Sequence, residues 1–280
     1  MTTEILKNEA NERMLYLSNG KIRIGLALDY GIRIGYLACE GMQNLFYEQP
    51  LDGSDGFVTP EGWRLRGGHR MWPTPETHLV YCPDNDPVEY EIKDNTVTVT
   101  QKPEPWLNIQ KIIRLTLEED GSVLLEHAIK NVGTQPQTHA SWGVNTLAGG
   151  GTAETFYGGG IKSDMQPGRV LSFWGDTSLA DPRLTITKDQ IIAKHMPLPD
   201  YFKLGMYCSA GKAILHNRGQ RLEITFDAPS MDVLPDGGCN FELYMCSRFM
   251  ELETLGAVKT IAPGESVCHW ERWNLTPETE

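Results

Sequence analysis

The sequence predicts an all-β protein, built of many antiparallel strands stacked as a sandwich. Three observations carry that prediction. Apolar residues recur at period two in segment after segment, and Gly and Pro interrupt every stretch that could carry a helical stripe. Turn sequences such as Asp120-Gly121 and Pro263-Gly264 separate the alternating segments. Two stacked sheets would bury the alternating faces and leave one concave face for a ligand.

After a polar leader, Lys21–Leu28 (KIRIGLAL) places Ile22, Ile24, Leu26 and Leu28 on one face, and Gly31–Ala38 repeats the pattern beyond an Asp29-Tyr30-Gly31 turn. Asn44–Tyr47 adds a short strand. Three long strands come next: Thr96–Thr100, Leu107–Leu117 with a bulge near Lys111-Ile112, and Ser122–Lys130, the last two joined by an Asp-Gly hairpin. HASWGVNTL, from His139, reads as a strand running into a glycine-dense loop. Strand patterns resume at 169–174, 184–187, 190–194, 202–208, 213–217 and 221–226, and then over one block, Cys239–Leu252, and Glu265–Trp273. No linker or composition shift divides the chain, so residues 1–280 are expected to form one domain, with 1–13 a flexible leader and 275–280 a flexible tail.

The net charge of −12, with no basic run to offset it, makes nucleic acid and anionic membranes poor partners. No signal-peptide core and no apolar run near the ~18–20 residues that cross a bilayer is present, so a cytoplasmic protein is expected. The six cysteines lack C-x-x-C pairs and read as free, buried residues; no HxH or HExxH spacing supports a metal, and no cofactor fingerprint is present. A neutral small molecule, bound by a monomer or homodimer, is the simplest partner.

One stretch fits neither periodicity. Residues 61–78 (EGWRLRGGHRMWPTPETH) gather Trp63, Trp72, Arg64, Arg66, Arg70, His69, His78 and Glu76 around Gly67-Gly68 and two prolines. This reads as a shaped loop, in which Gly-Gly allows positive φ or close backbone approach and the prolines stiffen the backbone beyond it. Flat rings beside hydrogen-bonding groups suit a sugar; a surface hairpin with solvated arginines is the plainer alternative. In Phe249–Gly256 (FMELETLG), Glu251 and Glu253 share one face with Leu252 opposite. They could supply a general base, or simply line the solvated face of an edge strand. His139 could be a catalytic acid or a hydrogen-bonded core histidine, and His127 alternates with core residues and reads as structural.

On these residues the chain resembles the aldose 1-epimerase (galactose mutarotase) superfamily, in particular a bacterial branch with an RGGHRxWPxPE block. Tyr30–Ile34 is similar to the family's "GARI" strand, Arg66-Gly67-Gly68 with Trp72-Pro73 to the "RGG" stretch of hexose-phosphate mutarotases, and Leu124–Gly133 to its "L…Y…NTG" strand. His139-Ala-Ser-Trp142 stands where relatives place a catalytic histidine before an aromatic residue, and Leu252-Glu253-Thr254 resembles the "LET" segment holding the catalytic glutamate. The resemblance implies a β-supersandwich with a sugar cleft on its concave face and no metal in the chemistry. It implies Glu253 as general base, with a histidine protonating the ring oxygen. The family's HGFxR-type segment is not visible, so that histidine would be His139, His69 or His78. Arg66, Arg70, Trp72, Glu76, Trp63, Trp142, Glu251 and Asn145 would then hold the sugar, and the arginines leave an acidic or phosphorylated sugar open.

Overall fold

The computed structural model describes residues 1–50, 57–158, 165 and 169–278. Among these, the chain forms two ten-stranded sheets and a two-stranded ribbon. In spatial order the first sheet runs Thr2–Lys7, Arg13–Ser18, Ile22–Ala27, Ile34–Cys39, Gly68–Pro73, Ser141–Ala148, Phe249–Leu255, Phe241–Met245, Phe202–Met206 and Leu171–Phe173. The second runs Leu184–Ile186, Gln190–Lys194, Thr152–Phe156, Lys212–Asn217, Gln220–Phe226, Ser266–Pro277, Ser122–Asn131, Ile109–Leu117, Thr96–Thr100 and Glu89–Lys93. Gln137–His139 pairs with Lys259–Ile261 as the ribbon. All neighbours are antiparallel, as in the all-β sandwich that the sequence predicts. No helix among the described residues is long and apolar enough to cross a membrane.

The alternating segments behave as their period dictates. Leu15, Leu17, Ile24 and Leu26 of the first sheet and Ile113, Leu115, Leu125 and Trp273 of the second belong to one buried apolar cluster. The other face of the first sheet carries its own cluster, in which Trp63, Leu65, Trp72, Val80, Trp142 and Leu255 pack together. That sheet is therefore buried on both sides at its centre.

This double burial corrects the reading of residues 61–78. Gly68–Pro73 is a strand in the middle of the first sheet, and all six of its residues are buried. A strand covered on both faces loses the alternation that marks a half-exposed one. The glycine pair does what its chemistry suggested: Gly67 and Gly68 have φ of +74° and +72°, and a Cβ there would lie 1.8 Å from the Tyr47 carbonyl oxygen and 2.3 Å from that of Ile34. Arg33, buried beneath, donates from Nη1 to the Gly67 carbonyl at 3.1 Å and from Nη2 to Asp84 at 2.8 Å, which fixes the approach to the strand.

Other boundaries shift. Cys239–Leu252 is two antiparallel strands, Phe241–Met245 and Phe249–Leu255, because Cys246–Arg248 turns within a run whose composition never breaks. The ladder Ile109–Leu117 keeps one register throughout, without the expected bulge; the register shifts instead at Gly25/Leu26. Asn44–Tyr47 makes only an isolated bridge, Phe46 to Leu147. Within the leader, Thr2–Lys7 pairs along Arg13–Ser18 as an exposed edge strand. Cys268 is exposed rather than buried, while all six cysteines are free.

Candidate functional site

The outer face of the first sheet brings the charged residues together through its register. Arg70 lies across from Val144, Val144 from Glu253, Glu253 from Glu242, and Glu242 from Gly205, so these five form one row over five strands. One step along, Gly68, Thr146, Glu251, Tyr244 and Lys203 form the next row. Phe249–Leu255 is thus a central strand, and Glu251 and Glu253, far from a solvated edge, are buried. Leu252 points the opposite way, into the main core, as the spacing required.

Directly opposed like charges destabilise a sheet. Glu242 and Glu253 are such a pair, each only 1% exposed, and Lys203 from the diagonal position bridges them. Its Nζ lies 2.8 Å from Glu242 and 3.0 Å from Glu253, with Glu76 at 3.9 Å on the open side. The indole N–H of Trp142 donates to the same Glu253 oxygen at 2.8 Å. The Lys203 ammonium also sits 4.6 Å from the Trp142 ring centre and 4.9 Å from that of Trp174.

Three carboxylates around one ammonium leave excess negative charge. Burial pushes the Glu253 carboxyl above its ordinary value; Lys203 opposes this, and Glu251 and Glu76 add to it. Glu242 is pushed up well above the usual range, again first by burial, with Lys203 opposing and Glu253 reinforcing. Its Oε1 is buried without a hydrogen-bond partner. Burial alone would pull the Lys203 ammonium down, yet Glu253 and Glu242 together outweigh it and hold the proton on.

Beside this cluster, Arg70 donates to Glu251 at 3.1 Å and to Thr146 Oγ1 at 2.6 Å, and Thr146 donates in turn to Glu251 at 2.6 Å. Its guanidinium lies 4.4 Å from the Trp72 ring centre. Trp63 and Trp72 are both buried, 5.4 Å apart between ring centres. Their faces pack against each other, Tyr81 and Arg70, which removes the support for sugar stacking on them. Glu76 is exposed and accepts from the Tyr81 hydroxyl at 2.7 Å.

The histidines go elsewhere. His69, opposite Asn145, faces the interior between the sheets, where its Nδ1–H donates to Asn145 Oδ1 at 2.9 Å and its Nε2 meets His127 Nε2 at 2.9 Å. His139 bonds through Nδ1 to the Thr74 carbonyl at 2.8 Å, and so anchors the turn that presents Glu76. His78 is exposed at the start of a short helical turn, His78–Tyr81. Arg66 also lies apart, bound to Glu12 at 2.6 Å and Asn85 at 3.2 Å, 3.9 Å from the Tyr30 ring centre. Asn145 reaches inward, donating to Glu271 at 3.1 Å. Among the described residues no group of three or more His, Cys, Asp or Glu is arranged to hold a metal ion.

Sequence reasoning missed Lys203, Glu242 and Trp174. A signal for the first two exists: each is the lone charged residue in an otherwise apolar strand, FKLGM and FELYM, at a position alternate to the core residues. An isolated charge of that kind inside a doubly buried strand needs a partner.

The sequence matches no family model and no curated protein. The fold does match solved structures. A galactose mutarotase-like protein from Lactobacillus casei is 13% identical, with 94% of this chain and 100% of that one covered at a TM-score of 0.55. One from Clostridium acetobutylicum is 8% identical, with 99% of each chain covered at 0.56. A TPR-domain containing protein from Parabacteroides distasonis is 16% identical at 0.65, with 96% of this chain covered; the chain spans only 48% of that protein. At such identities the likeness is one of fold, and the chain is a galactose mutarotase-like sandwich.

Proposed function

We propose that the chain is a carbohydrate-binding protein of the aldose 1-epimerase type that interconverts sugar anomers, with Glu253 as general base. The observation that carries this reading is the buried Glu253–Lys203–Glu242 cluster on the outer face of the central strands of a mutarotase-like sheet. Glu253 takes the proton from the anomeric hydroxyl as the bond from C1 to the ring oxygen breaks. The ring oxygen receives a proton from the Glu242 carboxyl, which burial pushes toward its protonated form. Rotation about C1–C2 and the reverse transfers return the opposite anomer, with both protons restored. In this scheme a second carboxyl takes the role that the family resemblance gives to a histidine, and His139 positions the Glu76 turn at the rim.

A binding-only reading draws on a different observation. Arg70 donates through Nη1 to Glu251 and Thr146, and one Glu253 oxygen accepts from both Trp142 and Lys203, as in a support network.

Anomer-exchange NMR on hexoses, pentoses, uronates and sugar phosphates, with saturation transfer in the same samples, separates the two. The anomerase reading expects accelerated exchange that falls on the order of 10²–10⁴-fold in Glu253→Gln. Saturation transfer without exchange leaves the binding protein, and neither signal with any sugar overturns both.

A further inference from the structure

A second cleft opens on the outer face of the first sheet, over the N-terminal strands. It encloses about 1230 Å³ and is lined by residues including Tyr16, Tyr30, Tyr36, Arg66 and Arg218. Trp63 and Leu65 turn into the aromatic packing, while Arg64 and Arg66 line the cleft. The arginines that the sequence singled out beside Trp63 therefore serve this second space.

The floor is built for rings. The Arg23 guanidinium covers the Tyr16 ring at 4.3 Å from its centre, and Tyr16 and Tyr36, both half-buried, meet edge to face with centres 5.7 Å apart. They can do so because Gly25 lies beneath them: a Cβ there would stand 2.8 Å from Tyr16 Cε1 and 2.9 Å from Tyr36 Cβ. Gly35 leaves similar room beside the Met14 methyl, 3.2 Å from where its Cβ would be. Along one wall Arg66 is locked by Glu12 and Asn85 over the Tyr30 ring. Across the cleft Arg218, from the second sheet, donates to the Asn44 carbonyl. These groups are held in place before any ligand arrives, so little ordering is lost on binding.

The charge balance selects the ligand class. Four basic side chains line the cleft, Lys7, Arg64, Arg66 and Arg218, against three acidic ones, Glu9, Glu12 and Glu48. Near-neutrality, on a protein of net charge −12, favours an uncharged ligand over a polyanion. Aromatic faces among amide, guanidinium and carboxylate groups match a molecule with apolar CH faces and many hydroxyls. The volume exceeds the roughly 300–1,000 Å³ typical of a small-molecule pocket, which fits several linked units better than one. We propose that this cleft binds a neutral oligosaccharide, with Tyr36 as its aromatic contact and Arg66 as a fixed hydrogen-bonding wall.

The inference stands apart from the anomerase reading, because none of its residues belongs to the Glu253 cluster. The test titrates the full chain with maltohexaose, cellohexaose, xylohexaose and mannohexaose, following amide chemical shifts and affinity. The expected result is binding of at least one hexaose that shifts the Gly35 and Arg66 amides. It should weaken at least about tenfold in Tyr36→Ala and persist in Glu253→Gln. The amide shifts keep the test decisive if Tyr36→Ala fails to fold. Failure of all four hexaoses to bind overturns the proposal, as does binding that leaves Gly35 and Arg66 unmoved. Binding lost in Glu253→Gln but kept in Tyr36→Ala also overturns it, because the ligand then sits at the other cluster.

Discussion

At the scale of single residues, the most demanding arrangement is a file of three histidines between the sheets. His69 and His127 stack with ring centres 4.9 Å apart, and His127 and His269 with 5.9 Å. The proton positions follow from their partners. His69 gives its Nδ1 proton to Asn145 Oδ1, so its Nε2 accepts from His127. His269 donates to Thr254 Oγ1, whose own proton goes to Glu271 at 2.6 Å. The Nδ1 atoms of His127 and His269 are then bare acceptors buried without partners, so each ring is neutral. Burial pulls His69 down to about 3, with Arg70 and Arg33 adding to the effect, and pulls His127 and His269 down as well.

In the unfolded chain each of these rings titrates near 6.5. Between that value and the lowered one, the unfolded chain binds a proton that the fold refuses, so this contribution to stability is intact above pH 6.5 and drains as pH falls toward 3. Replacing His127 by Gln should therefore flatten the pH dependence of unfolding free energy between pH 6 and 4 by about 1.4 kcal/mol per pH unit. Urea titrations of the two proteins at several pH values measure it. The raised carboxyls of Glu242 and Glu253 act in the opposite sense, stabilising the fold as pH falls, but they are common to both proteins and cancel. Equal slopes would mean that His127 is already charged in the fold.

At the scale of elements, the strand Ser141–Ala148 joins the two polar systems. Trp142 turns outward to Glu253 and Asn145 inward to His69 and Glu271. Gly143 makes that possible: a Cβ there would lie 2.4 Å from Glu271 Oε1 and 3.2 Å from Thr254 Oγ1. The Glu271 carboxylate cannot swing aside freely, because Asn145, Thr254 and Trp273 all donate to it. Gly143→Ala should cost about 1–3 kcal/mol in urea unfolding, the usual range for overpacking, and leave secondary structure unchanged by far-UV circular dichroism. An unaltered midpoint would show that the carboxylate is mobile. Nothing in the SWGVN sequence announces this crowding, since the atoms that meet Gly143 come from strands more than a hundred residues away.

At the scale of the whole molecule, the chain weaves between its sheets. The first sheet draws strands from Thr2–Lys7 to Phe249–Leu255, and the second from Glu89–Lys93 to Ser266–Pro277. No cut in the sequence frees one sheet from the other, and the main core is shared by both. Unfolding should therefore be one cooperative transition, with tryptophan fluorescence and far-UV circular dichroism superimposing across a urea titration. Separate midpoints would mean that the sheets lose structure independently. Such long-range pairing also places folding among the slow, milliseconds-to-seconds class.

Local pattern was enough to establish the all-β class, the positions of most strands, the positive-φ role of Gly67-Gly68, and the shared face of Glu251 and Glu253. These rest on period-two alternation and on the missing Cβ of glycine, which are properties of neighbouring residues. It took the packed molecule to establish that Gly68–Pro73 is a central strand, that the run from Cys239 folds back on itself, and that Lys203 and Glu242 join Glu253 while His69 turns away to His127. Those outcomes depend on which strands become neighbours and on whether the outer face is covered. Register sets both, through contacts between residues as far apart as Arg70 and Glu251. A period read along the chain carries no information about what lies across it.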